Sequence, residues 1–315
     1  MSVTVIGGGV MGLCIATELQ ARGISAAIRD AGPGPQACSW WAGGMLAPWC
    51  EGESAEEAVT RHGIDAADWW QAQGVAVTRN GTLVASLARD AGALDRFARR
   101  SQGHRMLDAY GIAELEPDLA GRCTRALFFA AEAHLSPRQA LKVLSDRLPR
   151  TETPAGTTID CRGLSARDAL RDLRGVRGEM VVIRCPEIAL SRPVRLLHPR
   201  MPLYVVPRGN GVFMLGATML ESDRRGPPTA RAVLELLSAA FALHPAFAEA
   251  EVLELGADAR PAFPDNLPRI RRVGGIIHAN GLYRHGFLLA PAVARMVADH
   301  LQHQTRPEFM DADHD

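Results

Sequence analysis

The chain has 315 residues, 47% of them hydrophobic, and its 35 lysines and arginines balance 35 aspartates and glutamates. This length suits one large domain or two interleaved ones, and the apolar fraction excludes an intrinsically disordered chain. The zero formal net charge excludes a strong overall attraction to nucleic acid or to an anionic membrane.

The first 30 residues have the pattern of a strand, a helix and a second strand. Val3–Ile6 is a short apolar run, and Leu13–Arg22 carries apolar residues at helical spacing. Gly23 ends the predicted helix, and Ser25–Ile28 is the second strand. We therefore predict a βαβ unit at the start of the chain.

Further elements follow a loop over residues 31–54 that is rich in glycine, proline, alanine and tryptophan. Helices are predicted over Asp65–Thr78, Ala88–Arg100, Arg138–Leu148, Ala230–Phe241 and Leu288–His303. Strands are predicted over Leu83–Leu87, Glu179–Arg184, Leu203–Pro207 with its hairpin partner Gly211–Ala217, and Gly275–His278. The acidic tail from Arg306 is expected to fray. This order indicates a nucleotide-binding layer built from both ends of the chain, with a β-rich domain inserted between them.

The remaining composition offers little for a metal or a disulfide framework. The six cysteines are scattered without C-x-x-C spacing, which is typical of reduced thiols, and we predict no metal site. The residues after Met1 lack the pattern of a signal peptide, and no apolar run reaches the roughly 18 residues of a membrane span. We therefore expect a cytoplasmic protein without a membrane or nucleic-acid partner.

The turn of the βαβ unit carries a dinucleotide fingerprint. Gly7-Gly8-Gly9-Val10-Met11-Gly12 satisfies G-x-G-x-x-G between a strand and a helix. Gly7 permits the tight turn, Gly9 lets backbone N–H groups approach a pyrophosphate, and Gly12 lets the helix pack closely on the strand. Asp30, followed by Ala31, ends the second strand, where a carboxylate can accept hydrogen bonds from a ribose. The fingerprint alone leaves FAD and NAD open.

Several further segments decide between the two cofactors. They are Ser39–Pro48, Arg177–Glu179, Tyr204–Arg208, Leu215–Met219, Gly256–Pro261 and Gly281–Pro291. Together with the fingerprint, this set resembles the D-amino-acid oxidase superfamily of FAD-dependent oxidoreductases, and within it the glycine oxidases of thiamine biosynthesis. The resemblance runs in order from residue 3 to about residue 303. Leu148–Thr158 is shorter than in that family, and Pro202 stands where some members have a histidine.

The resemblance implies an α/β fold with a Rossmann-like FAD-binding domain and an interleaved substrate domain built on an antiparallel sheet. The FAD-binding domain is expected over residues 1–60, 123–175 and 256–305, and the substrate domain over residues 61–122 and 176–255. The cofactor is expected to be FAD, held non-covalently because no cysteine follows Cys185. The expected contacts are Gly7, Gly9, Val10, Met11, Gly12, Asp30, Ala31, Cys38, Ser39, Gly43, Gly44, Met45, Leu282, Tyr283, Arg284, His285, Gly286, Phe287 and Leu288.

Three residues match positions that bind the substrate carboxylate in this family. Arg260 is the first candidate, because a planar guanidinium grips a carboxylate through two parallel hydrogen bonds. Tyr204 is expected to donate a third hydrogen bond, and Arg284 is the second candidate arginine.

The implied activity is oxidative deamination of glycine or a similar small amino acid to the imine, then to an oxo acid and ammonia. O2 is expected to reoxidise the flavin and give H2O2, and the reaction is expected to serve thiamine thiazole synthesis. The alternatives are a secondary-amine oxidase or dehydrogenase acting on sarcosine-like or proline-like substrates, a non-catalytic flavin-binding subunit, and an NAD-dependent enzyme. The expected partners are a small amino acid or amine and O2, and a homo-oligomer is left open.

Overall fold

The computed structural model describes residues 2–87, 90–198 and 202–311. The strands, in chain order, are β1 (Ser2–Ile6), β2 (Ser25–Arg29), β3 (Met45–Leu46), β4 (Val77–Thr78), β5 (Thr82–Ser86), β6 (Arg105–Asp108), β7 (Arg125–Phe129), β8 (Ala133–Leu135), β9 (Thr157–Asp160), β10 (Arg174–Arg184), β11 (Val194–Leu197), β12 (Leu203–Gly209), β13 (Val212–Gly216), β14 (Leu220–Glu221), β15 (Glu251–Ala262), β16 (Arg269–Val273) and β17 (Ile276–Asn280). The helices are α1 (Val10–Ala21), α2 (Pro48–Glu51), α3 (Glu57–Gly63), α4 (Ala66–Ala72), α5 (Ala91–Arg100), α6 (Ala109–Leu115), α7 (Pro137–Ser145), α8 (Ala230–Leu243) and α9 (Gly286–His303).

A five-stranded sheet joins the two ends of the chain in the order β16-β17-β9-β1-β2. β1 runs parallel to β2 and β9, and β17 runs parallel to β9. Val3 and Val5 of β1 are buried together with Leu13 and Leu19 of α1. Burial of β1 under α1 explains its uninterrupted apolar run, which is typical of a parallel strand covered by helices.

A larger, nine-stranded sheet forms the second layer, in the order β14-β10-β13-β12-β11-β5-β7-β6, with β15 paired to β10. β12 and β13 form an antiparallel hairpin across Asn210, whose φ of 53° suits a tight turn. β10 and β15 are long antiparallel partners. Their pairing matters for the site, because β15 carries Arg260 and β10 lies beside it.

The architecture confirms the predicted α/β fold with a Rossmann-like layer and an antiparallel sheet. The residue bounds of the two domains stay a prediction. β7 and residues 256–262 of β15 fall in segments assigned to the FAD-binding domain, yet both strands pair within the nine-stranded sheet. Within the described ranges, none of the helices is both long and apolar enough to cross a bilayer.

Two local predictions differ from the structure, and a third lies partly outside the described residues. The helix predicted over Asp65–Thr78 ends at Ala72, because Gly74 adopts a φ of +74° and the chain then extends into β4. The helix predicted from Ala88 is described from Ala91, and residues 88 and 89 lie outside the described residues. The expectation that the tail frays from Arg306 is wrong for residues 309–311, since Phe309 is only 3% exposed.

Candidate functional site

A cavity of about 900 Å³ lies between the glycine-rich turn and the β10–β15 pair. Its volume lies in the upper part of the range for small-molecule and cofactor sites. Of the sequence-predicted site residues, Gly12 and Ala31 do not line the cavity. The lining includes Gly7, Gly9, Val10, Met11, Asp30, Cys38, Ser39, Gly43, Gly44, Met45, Tyr204, Arg260 and Leu282 through Leu288.

The glycine-rich turn is packed too closely for side chains. Gly7 has a φ of +107°, and a Cβ there would lie 2.6 Å from the carbonyl oxygen of Cys161. A Cβ on Gly12 would lie 2.0 Å from the carbonyl oxygen of Gly7, so Gly12 allows α1 to pack against the turn. The Val10 N–H donates to Ser39 Oγ over 3.1 Å, and the first turn of α1 has no acidic residue. The positive end of α1 therefore faces the cavity, and its own first turn adds no carboxylate.

Asp30 lies at the rim of the same end of the cavity. Its Oδ1 accepts the Gly32 N–H over 2.7 Å. A Cβ on Gly8 would lie 2.7 Å from that oxygen, so the turn and the carboxylate lie in close contact. Asp30 is exposed and lines the cavity, which leaves its carboxylate accessible to a ligand hydroxyl.

The 43–45 and 282–288 segments form a further part of the cavity wall. Gly43 lies against the ring of Tyr204, where a Cβ would be 3.0 Å from Cε2. Gly44 has a φ of +74°, and a Cβ there would be 2.3 Å from the Leu135 carbonyl oxygen. α9 begins at Gly286, and its first turn is held by Trp70, whose Nε1 donates to the Phe287 carbonyl over 2.8 Å. Both segments thus present backbone to the cavity.

Arg260 projects into the cavity from β15. Its Nη1 donates to the carbonyl oxygen of Thr218 over 3.4 Å, and no carboxylate pairs with it within the described parts of the chain. Tyr204 lines the same cavity from β12. Burial raises the pKa of the Tyr204 phenol, so its hydroxyl keeps its proton and can donate. The two side chains can therefore bind a carboxylate together.

Arg284 also lines the cavity, but its charge is already engaged. Its Nη2 lies 2.9 Å from Glu51 Oε2 and 2.9 Å from Ser54 Oγ. Arg195 Nη1 lies 3.1 Å from the other oxygen of Glu51. Burial alone would raise the pKa of Glu51, but Arg284 and Arg195 outweigh it and lower that pKa to about 2. Glu51 therefore stays ionised and compensates part of the positive charge.

Sequence reasoning missed Glu51 and Arg195 as site residues. Glu51 follows the Ser39–Pro48 segment closely, so a longer reading of that segment could have found it. Arg195 lies in β11 without a motif, and its role depends on a contact with Glu51 across the chain. His285 lies 3.6 Å from the same carboxylate, and burial lowers its pKa to about 4, so its ring is neutral at pH 7.

The charge of this end of the cavity is therefore positive overall. Arg195 and Arg284 contact one ionised carboxylate, that of Glu51, and Arg260 lines the same cavity without a carboxylate partner among the described residues. Surplus positive charge favours an ionised carboxylate in the ligand and disfavours a protonated amine. The arrangement suits a small amino acid bound with its amine neutral.

Comparison with known proteins gives matches over nearly the whole chain. A family model described as FAD dependent oxidoreductase matches residues 2–150 and 146–300. A candidate thiamine biosynthesis oxidoreductase, ThiO, of Rhizobium etli is 53% identical, over 98% of this chain and 99% of its own length. A glycine oxidase of Pseudomonas putida is 27% identical, over 94% of this chain and 93% of its own length. The crystal structure of glycine oxidase from Bacillus cereus superposes with a TM-score of 0.83 at 20% identity, covering 98% and 99% of the two chains.

Proposed function

The chain belongs to the family of FAD-dependent oxidoreductases, and from this premise we propose that it oxidises glycine or a similar small amino acid to the imine. Water then converts the imine to the oxo acid and ammonia. FAD is the cofactor, which sets aside the NAD-dependent alternative. Because the chain belongs to an enzyme family, the alternative of a non-catalytic flavin-binding subunit is also not favoured.

The residues of the cavity fit FAD at both ends. The glycine-rich turn and the N-terminus of α1 would hold the pyrophosphate, and Asp30 would bind the ribose. The 43–45 and 282–288 segments would hold the isoalloxazine ring. When bound, FAD supplies the acceptor for the two electrons of the amine. The protein has to hold the amino acid in place and keep its amine neutral.

The observation that carries the proposal is the unpaired guanidinium of Arg260 beside the protonated hydroxyl of Tyr204. A bidentate Arg–carboxylate pair fixes both the position and the orientation of a small substrate. Arg284 is a weaker candidate for this role, because Glu51 shares its charge. We propose that Arg260 and Tyr204 bind the substrate carboxylate. Arg195 and Arg284 contribute the surplus positive charge of the cavity.

No side chain is needed as a strong base in this proposal. The amine loses its proton to water before or during binding, because the surplus positive charge of the pocket disfavours the ammonium form. Glu51 is held by two arginines, and His285 is a poor base when its pKa is about 4. The proposal includes O2 as the electron acceptor, with H2O2 as product, and a role in thiamine thiazole synthesis, in line with the names of the relatives.

A substrate panel on the purified yellow protein tests the proposal. Glycine, sarcosine, proline, D-alanine and a carboxylate-free amine are mixed with the holoenzyme without oxygen, and flavin bleaching is followed. H2O2 is then measured in air. We expect glycine to bleach the flavin fastest. Faster bleaching by sarcosine or proline would favour a secondary-amine oxidase, and bleaching without H2O2 in air would indicate a dehydrogenase.

A further inference from the structure

The three residues Arg177, Gly178 and Glu179 lie on β10 directly beside Arg260. In the β10–β15 ladder, Arg260 pairs with Val176 and Asp258 pairs with Gly178. Successive residues of a strand face opposite sides of the sheet, so Val176 and Gly178 share the face of Arg260. The Arg260 side chain thus reaches diagonally over Gly178, a usual cross-strand contact.

Gly178 forms the floor on which the guanidinium lies. A Cβ on Gly178 would be 2.1 Å from Nη2, 2.4 Å from Cζ and 2.6 Å from Nη1 of Arg260. These three close distances mean that the guanidinium occupies the space that a side chain at position 178 would fill. Any larger residue would displace the fork, because the guanidinium is the mobile end of a flexible side chain.

Arg177 and Glu179 face the other side and are almost completely buried, with 2% and 0% exposure. Arg177 Nη2 lies 3.0 Å from Glu179 Oε1. Arg177 also donates to the carbonyls of Arg224, Gly226 and Pro227, over 2.7, 3.1 and 2.7 Å. The ion pair therefore fastens the segment after β14 to the sheet.

Glu179 connects this ion pair to Thr218. The Thr218 hydroxyl donates to Glu179 Oε2 over 3.0 Å and accepts the Glu179 N–H over 2.9 Å. The Thr218 carbonyl in turn accepts from Arg260 Nη1 over 3.4 Å. Thr218 thus links the buried ion pair to the guanidinium in the cavity.

We propose that Gly178 and the Glu179–Thr218 pair are positioning residues that set the place of the Arg260 guanidinium, Gly178 by the space it leaves and Thr218 by its carbonyl. This inference rests on the proposed role of Arg260 as the carboxylate anchor. The network acts on the substrate only through Arg260, so it should affect catalysis to the extent that Arg260 does.

Gly178→Ala is the first test, in the holoenzyme. The backbone of Gly178 is outside the left-handed region and the clash is with a mobile group, so the variant should fold. We expect kcat/KM for glycine to fall about 100-fold, the loss that a misplacement of roughly 1 Å can cause. FAD content and Tm should stay near wild type. Gly92→Ala, where a Cβ meets only Arg96 at 3.6 Å, is the matched control and should leave kcat/KM unchanged.

A double-mutant cycle separates positioning from a general structural effect. Gly178→Ala is added to Arg260→Ala, and kcat/KM for glycine is measured by anaerobic flavin reduction. We expect the added substitution to cost almost nothing there, because the group it displaces is gone. An equal loss in both backgrounds would overturn the inference. A normal kcat/KM in Arg260→Ala alone would instead refute the proposed anchor.

Thr218 provides an independent variant. Thr218→Val keeps the shape but removes the hydroxyl that Glu179 holds, and Thr218→Ser keeps the hydroxyl. We expect kcat/KM to fall in Thr218→Val and to recover in Thr218→Ser, again only when Arg260 is present. Equal activity of the two variants would overturn the role of Thr218.

Discussion

Two arginines line the same end of the cavity, but their partners give them different roles. Arg284 shares Glu51 with Arg195, whereas Arg260 donates a hydrogen bond to a carbonyl and pairs with no carboxylate within the described chain. A guanidinium without a carboxylate partner in a cavity is suited to binding an anionic ligand. The difference between the two arginines lies in their contacts. The sequence motifs that contain them do not show these contacts.

Arg260→Ala tests the anchor directly. Loss of the bidentate partner should cost about 3–5 kcal/mol of transition-state binding, the range for breaking a buried ion pair. This corresponds to roughly two to four decades in kcat/KM. Arg260→Lys should recover only part, since a point charge cannot replace the fork. The measurement is anaerobic flavin reduction by glycine and by a carboxylate-free amine, and an equal loss for both would reject the assignment.

Asp30→Ala tests the cofactor end. The exposed carboxylate at the rim of the cavity should accept a hydrogen bond from the ribose, and its loss should weaken FAD binding by about 1.5–3 kcal/mol. The rate of flavin reduction at saturating FAD should not change, because Asp30 is assigned to the ribose and not to the substrate. The check is the FAD dissociation constant of reconstituted apoprotein. An unchanged constant would show that Asp30 does not bind the ribose.

Most of the residues that the sequence singles out line the cavity, because local backbone geometry leaves a pattern in the sequence. Gly7 and Gly44 are required by positive φ and close contacts, and such positions leave glycine in the sequence. Glu51 and Arg195 were missed for the opposite reason. Their ion pair joins β11 to a helix far away in the chain, and no local pattern records it.

Among elements, the C-terminal segment shows how tertiary contacts override local composition. An acidic, polar stretch predicts fraying, yet Phe309 is buried and packs on the His62 ring at 5.1 Å between centroids. The Ile270 N–H donates to the Phe309 carbonyl over 2.8 Å. Residues 309–311 therefore pair with β16 at the edge of the five-stranded sheet, and Phe309 packs against α3. The helix α4 ends earlier than predicted, because Gly74 adopts a positive φ that the sequence does not specify.

Phe309→Ala tests the packing of this segment against α3. Emptying the pocket of a buried phenylalanine should lower the free energy of unfolding by about 3–5 kcal/mol. Glu308→Gln is the control, because the Glu308–Arg61 pair is exposed to solvent and should contribute little to stability. The comparison is the denaturant midpoint of the two variants at pH 7. A midpoint for Phe309→Ala that is no lower than that for Glu308→Gln would mean that the phenyl ring does not hold the segment.

At the scale of the whole molecule, buried titratable groups make stability depend on pH. Burial lowers the pKa of His285 to about 4, below its usual value of 6.5. Between pH 6.5 and pH 4 the unfolded chain binds a proton at His285 that the folded chain does not bind. The free energy of unfolding therefore falls as the pH drops, by about 3 kcal/mol over the whole interval. Burial raises the pKa of Glu132 to about 7, which acts in the opposite direction.

His285→Asn tests how much of this pH dependence comes from His285. The Tm of the wild-type holoenzyme and of the variant is measured between pH 7 and pH 4.5. We expect the variant to lose less stability over this range than the wild type, because the group that resists protonation is gone. A parallel pH dependence in both proteins would show that folding does not lower the pKa of His285.

The last prediction concerns how the whole protein retains FAD. Two cysteines, Cys38 and Cys161, line the cavity. Burial raises the pKa of the Cys38 thiol to about 11 and that of Cys161 well above its usual value. A thiolate is the nucleophile needed for a covalent tether, and neither thiol supplies one at neutral pH. The cofactor should therefore be held by contacts along the cavity alone.

Acid precipitation of the yellow protein should accordingly release the colour to the supernatant. The apoprotein should unfold at a lower temperature, and FAD at about 100 times its dissociation constant should restore roughly 2.7 kcal/mol. Cys38→Ser should bind FAD as the wild type does, because the thiol at this position acts only by packing. Colour in the pellet of the wild type but not of Cys38→Ser would instead identify Cys38 as a tether. Since the glycine-rich turn and the 282–288 segment come from opposite ends of the chain, release of FAD should also loosen the contact between those ends.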